Sequence, residues 1–381
     1  MKENSLDSWL EYIQSPGPKE IELGLERIKP VYEKIIGPFI TAKTVVVGGT
    51  NGKGTTVEFL SQLLISKNRN VGTFTSPHLF DFNERIKVNG QAVSEKHIID
   101  SFKLIEEKRG SAQLTYFDFS TLAALLIFNE FNVDIMVLEI GLGGRLDPVN
   151  IVDSDIAILT NVELDHQDWL GNNREVIGEE KAAIFRFEKP VILGQHSIPE
   201  SVFKKATELQ NQVYRVGERF DYQVNDSQKK WSYSFLGQKE IIFSAIQLNN
   251  FSVSSLSCAL TALCILEEEV NVDIEAVLNK IDLKGRCELI ENRFLLDVSH
   301  NESSAKYLSS FLERNFESER EISAVFGVMS DKDIDAIIKP LLGRVKKWYV
   351  TSPSIERSKD PQDLSKLISL TISFQVSFLP P

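Results

Sequence analysis

The stretch Lys43-Thr44-Val45-Val46-Val47-Gly48-Gly49-Thr50-Asn51-Gly52-Lys53-Gly54-Thr55-Thr56 decides the fold of this chain. Residues 44–47 are a short, unbroken β-branched run, the pattern of a strand buried on both faces. Four glycines, a lysine and three threonines follow, and residues 53–66 then read as a helix. A glycine-rich turn between a strand and a helix lets backbone N–H groups approach phosphate oxygens. The helix N-terminus adds positive potential, and Lys53 adds a full charge. Gly49, Thr50, Asn51, Gly52, Lys53, Gly54 and Thr55 are therefore the candidate phosphate-binding residues. The spacing is not that of the common G-x-x-x-x-G-K-[ST] loop, because Val47 stands at its first position and Gly54 follows the lysine. The alternative is a plain glycine-rich turn with a surface lysine.

Outward from this loop, short apolar runs alternate with helical stretches. Residues 71–74, 135–140 and 155–160 read as strands, and 94–109 and 118–130 as helices. This alternation predicts a parallel sheet covered on both faces. Between 220 and 243 the pattern changes: Trp231, Tyr233 and Phe235 alternate with polar residues, which predicts an antiparallel hairpin appended to that sheet. A helix over 254–267 follows. A second α/β pattern begins after Lys284-Gly285-Arg286, with strands expected at 294–298, 322–326 and 348–350, helices at 303–314 and 333–342, and a last short strand at 374–378. The expected fold class is α/β: a phosphate-loop parallel-sheet domain with a β-hairpin extension over 1–282, then a smaller Rossmann-like α/β domain over 283–381.

Composition narrows the partners. With 42 Lys plus Arg against 54 Asp plus Glu, the net charge of −12 argues against a nucleic-acid or anionic-membrane binder. The first residues lack an apolar signal region and no apolar run reaches the ~18 residues of a membrane span. Three cysteines without a Cys-x-x-Cys pair predict neither a disulfide framework nor a thiolate zinc site. A cytoplasmic, enzyme-sized protein is expected, with Cys258 and Cys264 on a buried helix face.

The loop Gly49-Thr50-Asn51-Gly52-Lys53-Gly54-Thr55 resembles that of the Mur ligase superfamily. Thr75-Ser76-Pro77-His78-Leu79, Phe82-Asn83-Glu84-Arg85-Ile86 and Val88-Asn89-Gly90 make the resemblance specific to folylpolyglutamate and dihydrofolate synthases. So do Leu138-Glu139-Ile140-Gly141-Leu142-Gly143-Gly144-Arg145-Leu146-Asp147, Leu164-Asp165-His166, Glu180-Lys181-Ala182-Ala183 and Asp297-Val298-Ser299-His300-Asn301. Leu23-Gly24-Leu25-Glu26-Arg27 and Leu114-Thr115-Tyr116-Phe117 are similar to the bifunctional bacterial form in particular. The similar segments run in the family's order over about residues 20–335. Two departures stand out: Glu302 follows His300-Asn301 where the family has proline, and Lys284 replaces the proline of Pro-Gly-Arg. The family's closing strand and Gly-Ser segment are not found before Pro381, which implies a second domain shortened at its end.

Read as chemistry, Glu139 ends one expected strand, His166 lies beyond the next, and Ser76 follows the strand at 71–74. In an open parallel sheet such loops gather at the carboxyl ends of the strands. A carboxylate, a hydroxyl and an imidazole beside nucleotide phosphates can hold magnesium. Taken singly, Glu139 also reads as a salt-bridged acid and His166 as a structural histidine. Lys181 alone reads as part of a solvated helix face.

The resemblance implies more. Lys181 matches a lysine that carries a carbamate, and Lys53, His166 and Lys181 become the catalytic candidates. Arg286, Asp297 and His300 match residues of the smaller domain that contact or lie near ATP, and Asn250 an adenine-contacting asparagine. Leu23, Gly24, Leu25, Glu26, Leu114, Thr115, Tyr116, Phe117, Arg145, Leu146 and Asp147 match the folate or pterin pocket. ATP, Mg2+ and optionally K+ are the implied cofactors. The implied reaction adds L-glutamate to dihydropteroate or a reduced folate through an acyl phosphate, in a monomer whose interdomain cleft closes around residues 280–285. The rival expectations are a ligase acting on a peptidoglycan nucleotide precursor and a non-catalytic nucleotide-binding protein.

Overall fold

A computed structural model describes residues 5–15, 24–37, 40–225, 230–236, 241–244, 252–267, 272–281, 283–352, 357–371 and 376–378. It divides into two compact units, Met1–Asp282 and Leu283–Pro381. In chain order the first unit holds α1 (Leu6–Gln14), α2 (Lys29–Ile35), β1 (Lys43–Gly48), α3 (Lys53–Ser66), β2 (Val71–Phe74), β3 (Ile86–Val88), β4 (Gln91–Ala92), α4 (Glu95–Lys108) and α5 (Tyr116–Glu130). It continues with β5 (Ile135–Glu139), β6 (Ile156–Leu159), α6 (Gln167–Leu170), α7 (Arg174–Ala182), β7 (Val191–Leu193), α8 (Glu200–Glu208) and β8 (Val213–Arg215). Then come β9 (Phe220–Asn225), β10 (Lys230–Phe235), β11 (Ile241–Ser244), α9 (Val253–Leu266) and α10 (Ile274–Leu278).

Eight strands form one sheet in the order β4-β3-β2-β5-β1-β6-β7-β8. The six from β2 to β8 in that order are parallel, while β3 and β4 run antiparallel at one edge. Strand β1 is central, with Val47 opposite Glu139 of β5 and Gly48 opposite Leu159 of β6. The loops after β1, β5 and β6 therefore leave the sheet at one edge, the place where such sheets bind ligands. Val45, Val46 and Val47 are fully buried, as their branched side chains require for a central strand packed on both faces.

The antiparallel hairpin expected over 220–243 is present, but it does not join the first sheet as expected. Strands β9, β10 and β11 form a separate three-stranded antiparallel sheet in the order β11-β10-β9. Its buried side chains point at α9: the Tyr233 hydroxyl lies 2.9 Å from Thr261 Oγ1. The alternation identified the strands but carried no information about which surface the apolar face would cover.

The second unit holds β12 (Glu288–Ile290), β13 (Phe294–Leu296), α11 (Glu302–Asn315), β14 (Ile322–Phe326), α12 (Ile334–Ile338), β15 (Val345–Val350), α13 (Pro361–Thr371) and β16 (Val376–Phe378). Strands β14, β15 and β16 form a parallel sheet, and Phe311, Ile338, Trp348, Val350, Leu364 and Ile368 are in its core. The expected strand at 294–298 ends at Leu296 and pairs antiparallel with β12, so it does not belong to the parallel set. Glu291 and Asn292, both at positive φ, make the tight turn. No glycine announces that turn in the sequence.

Candidate active site

Helix α3 starts at Lys53 after Gly52, whose φ of +80° is left-handed and which has no side chain to cap the helix. Its first N–H groups are thus presented to the edge of the sheet, as an anion site needs. The loop ahead of it is held in shape by the residues after β6. Asn161 Oδ1 accepts from Thr50 N at 3.2 Å and from Asn51 N at 2.9 Å, and Asn161 Nδ2 donates to the Asn51 carbonyl at 3.2 Å. Thr160 Oγ1 donates to the same carbonyl at 2.7 Å. Gly49, at φ +140°, lies so close to Thr160 that a Cβ there would sit 1.9 Å from its hydroxyl. Lys53 Nζ folds over the loop and donates to the Thr50 carbonyl at 3.2 Å.

Glu139 closes β5 with its side chain buried, and its Oε2 accepts from Ser76 N at 3.0 Å. The same carboxylate borders Gly54, where an added Cβ would meet it at 3.2 Å. His166 stands at φ +50° ahead of α6, one-third exposed, with Nε2 4.0 Å from an Asp165 oxygen. Among the described residues no three His, Cys, Asp or Glu side chains form a ready metal cage. The buried Glu139 carboxylate beside Gly54 offers the kind of oxygen that magnesium takes from a protein, its other ligands coming from phosphate and water.

Lys181, near the end of α7, is 4% exposed and donates from Nζ to the Gly49 carbonyl at 3.0 Å. Burial, helped by the charge of Lys53, lowers its pKa to about 7, against the opposing pull of Asp165, Glu180 and Asp147. The helix is brought to the loop by Gly144, which packs on the Glu180 and Lys181 backbone, and by Arg145 N donating to the Glu180 carbonyl at 3.1 Å.

Asp147 is fully buried, and burial pushes its pKa up to about 7 although backbone N–H groups pull it down. Leu142 N donates to its Oδ2 at 2.8 Å and Val149 N to its Oδ1 at 2.9 Å, so it knots the loop after β5. Nearby, Thr115 caps α5 in a capping box with Asp118. Phe117 contacts Gly141 and lies 5.6 Å from the Phe74 ring.

The Mur ligase middle domain family matches residues 47–265, and the Mur ligase glutamate ligase domain family matches 285–378. A dihydrofolate synthase/folylpolyglutamate synthase of Buchnera aphidicola subsp. Schizaphis graminum is 37% identical over 377 residues, 97% of this chain and 88% of that protein. The chain belongs to the dihydrofolate synthase/folylpolyglutamate synthase family. The structure of E. coli FolC in complex with DHPP and ADP is similar at TM-score 0.89 and 34% identity, covering 99% of this chain and 94% of that one. A bifunctional folylpolyglutamate synthase/dihydrofolate synthase with Mn, AMPPNP and L-glutamate bound is similar at TM-score 0.83 and 34% identity, covering 99% and 95%.

For this family member the structure brings the loop residues, Ser76, Glu139, His166, Lys181 and Asp147 to one edge of the first unit's sheet. Arg145 is largely exposed and paired with Glu180 at 2.8 Å. Gly24 N donates to the Leu146 carbonyl at 3.3 Å, with Leu25 half-buried and Glu26 exposed. Leu114 and Thr115 are buried, and Tyr116 and Phe117 half-buried. Leu23 and Asn250 lie outside the described residues.

Arg286, Asp297 and His300 are in the second unit. There Asp297 accepts from Cys287 N and Ser299 N, each at 2.9 Å, and from the Ser299 hydroxyl. His300 Nδ1 lies 3.0 Å from the Val298 carbonyl, which places its proton on Nδ1. Sequence reasoning did not single out Asn161 and Thr160. Their signal was available: a threonine and an asparagine directly after β6, opposite the loop.

Proposed function

We propose that this chain joins L-glutamate to 7,8-dihydropteroate, giving dihydrofolate, and to reduced folates, giving folylpolyglutamates, with ATP as the energy source. The observation that carries the reading is a phosphate loop, a buried carboxylate and a buried near-neutral lysine at one sheet edge, in a chain of this family. ATP phosphorylates the acceptor carboxylate to an acyl phosphate, with ADP leaving. The glutamate amine attacks that carbonyl carbon, and the tetrahedral intermediate collapses to the amide and releases phosphate.

In this scheme the N–H groups of the loop and Lys53 bind and orient the ATP phosphates and offset charge on the transferring group. Magnesium, when bound, neutralises phosphate charge, and Ser76, Glu139 and His166 would hold it; the buried carboxylate of Glu139 beside Gly54 fits that ion. Lys181 is assigned a carbamate: a lysine near neutrality supplies the unprotonated amine that reacts with carbon dioxide. Arg286, Asp297 and His300 are assigned to the nucleotide. Leu114, Thr115, Tyr116, Phe117, Arg145, Leu146, Asp147 and residues 23–26 are assigned to the pterin-bearing acceptor, for which apolar walls with a few aimed polar groups are suitable.

The test is phosphate release by the purified chain with Mg-ATP and L-glutamate. Release is expected with 7,8-dihydropteroate and with a reduced folate. Response to only one of them would reduce the chain to a single activity. Response to a UDP-linked muramyl acceptor alone would overturn the substrate class, and silence with all three alongside tight ATP binding would favour a non-catalytic nucleotide binder.

A further inference from the structure

Asp118 is the most buried carboxylate of the acceptor side, with no exposure at all, and the catalytic scheme gives it no role. It accepts Arg27 Nε at 2.6 Å and Arg27 Nη2 at 3.3 Å, a two-point contact between segments 91 residues apart. It also accepts Thr115 N at 2.8 Å, while its own N–H donates to Thr115 Oγ1 at 3.1 Å. The Arg27 side chain is itself 14% exposed. Three separate stretches are thereby joined into one wall: residues 24–27, residues 114–118 through this ion pair, and residues 144–147 through Gly24 N on the Leu146 carbonyl. The contact lies outside the phosphate loop, and its two ends, Arg27 and Asp118, directly follow two segments assigned to the acceptor, 23–26 and 114–117.

We propose that Arg27 and Asp118 are positioning residues for the acceptor: the planar fork of Arg27 locks the segment 24–27 onto the first turn of α5, and so sets the spacing of the pterin-facing wall. The proposal rests on the acceptor assignment made above. A lysine would keep the charge but not the two parallel bonds. An apolar pair of similar volume would keep the packing but not the directional lock. If the pair served only to stabilise the fold, either replacement that folds would leave substrate recognition unchanged.

The experiment compares the parent chain with Arg27→Lys and with the double variant Arg27→Met/Asp118→Leu, the second of which removes both charges together. Thermal transitions establish folding, and KM for 7,8-dihydropteroate, KM for Mg-ATP and kcat are measured for each. In folded variants the acceptor KM is expected to rise about tenfold, with Mg-ATP KM and kcat staying within about twofold. An acceptor KM within about twofold of the parent in either folded variant overturns the proposal, as does a parallel rise in both KM values. A parent chain that releases no phosphate with dihydropteroate removes the acceptor assignment and this proposal with it. A responsive parent with unmoved variants removes the role of the pair alone.

Discussion

At Lys181 the chemistry depends on a proton. Its ammonium is stripped of water and faces Lys53, so the amine gives up its proton near pH 7, not near 10. A carbamate forms only on the neutral amine. Turnover at fixed carbon dioxide is therefore expected to fall as pH drops below about 7, and Lys181→Ala to be nearly inactive, with partial rescue by a short-chain carboxylate. An alanine variant above about a third of parental activity, a loss of under ~1 kcal/mol in barrier, would remove the assignment. Asp147 titrates in the same range from the other side. Its folded pKa of about 7 is above the ordinary 3.8, so the folded state binds more protons between those values. Its contribution to stability is complete below pH 3.8 and is lost as pH rises through 7. Asp147→Asn should accordingly show a flatter dependence of Tm between pH 4 and 7 than the parent, and equal slopes would refute this.

Among the elements, the turn from β1 to α3 is the most tightly specified. Gly49 has a left-handed φ and no room for a Cβ beside Thr160, so Gly49→Ala is expected to displace the loop while leaving the parallel sheet intact. The measurable result is loss of AMPPNP affinity with unchanged far-ultraviolet circular dichroism; retained affinity within about threefold would contradict it. Elements read from the sequence alone fared according to how local their causes are. The helix expected at 53–66 is α3 to the residue, because its glycine start and apolar run are local signals. The helix expected from 118 begins at Tyr116, because the capping box of Thr115 and Asp118 starts it earlier than the apolar periodicity does.

For the molecule as a whole, nucleotide binding should be visible as stability. A ligand at about 100 times its Kd adds about 2.7 kcal/mol to the state that binds it. AMPPNP with magnesium is expected to raise the Tm of the parent and to raise that of Lys53→Ala far less, with the two proteins alike in the absence of ligand. An equal rise in both would exclude Lys53 from the phosphate site. Loss of turnover without loss of folding in Lys53→Ala belongs to the same experiment.

The central strands at 44–47, 71–74, 135–140 and 155–160, the helices between them, the phosphate loop and the family were legible in the sequence, because each rests on neighbouring residues: β-branched runs, a glycine turn, and motifs of a few residues. Glu139, His166 and Lys181 could be nominated because they end or follow such elements. What needed the tertiary structure was every relation between distant residues. The burial that lowers the Lys181 pKa comes from packing against a loop more than a hundred residues away. The clamp of Asn161 on Thr50 and Asn51, the docking of β10 on α9 and the pairing of β13 with β12 are likewise contacts across the chain. A local pattern states which face of an element is apolar; only the packed molecule states what that face meets, and desolvation follows from that meeting.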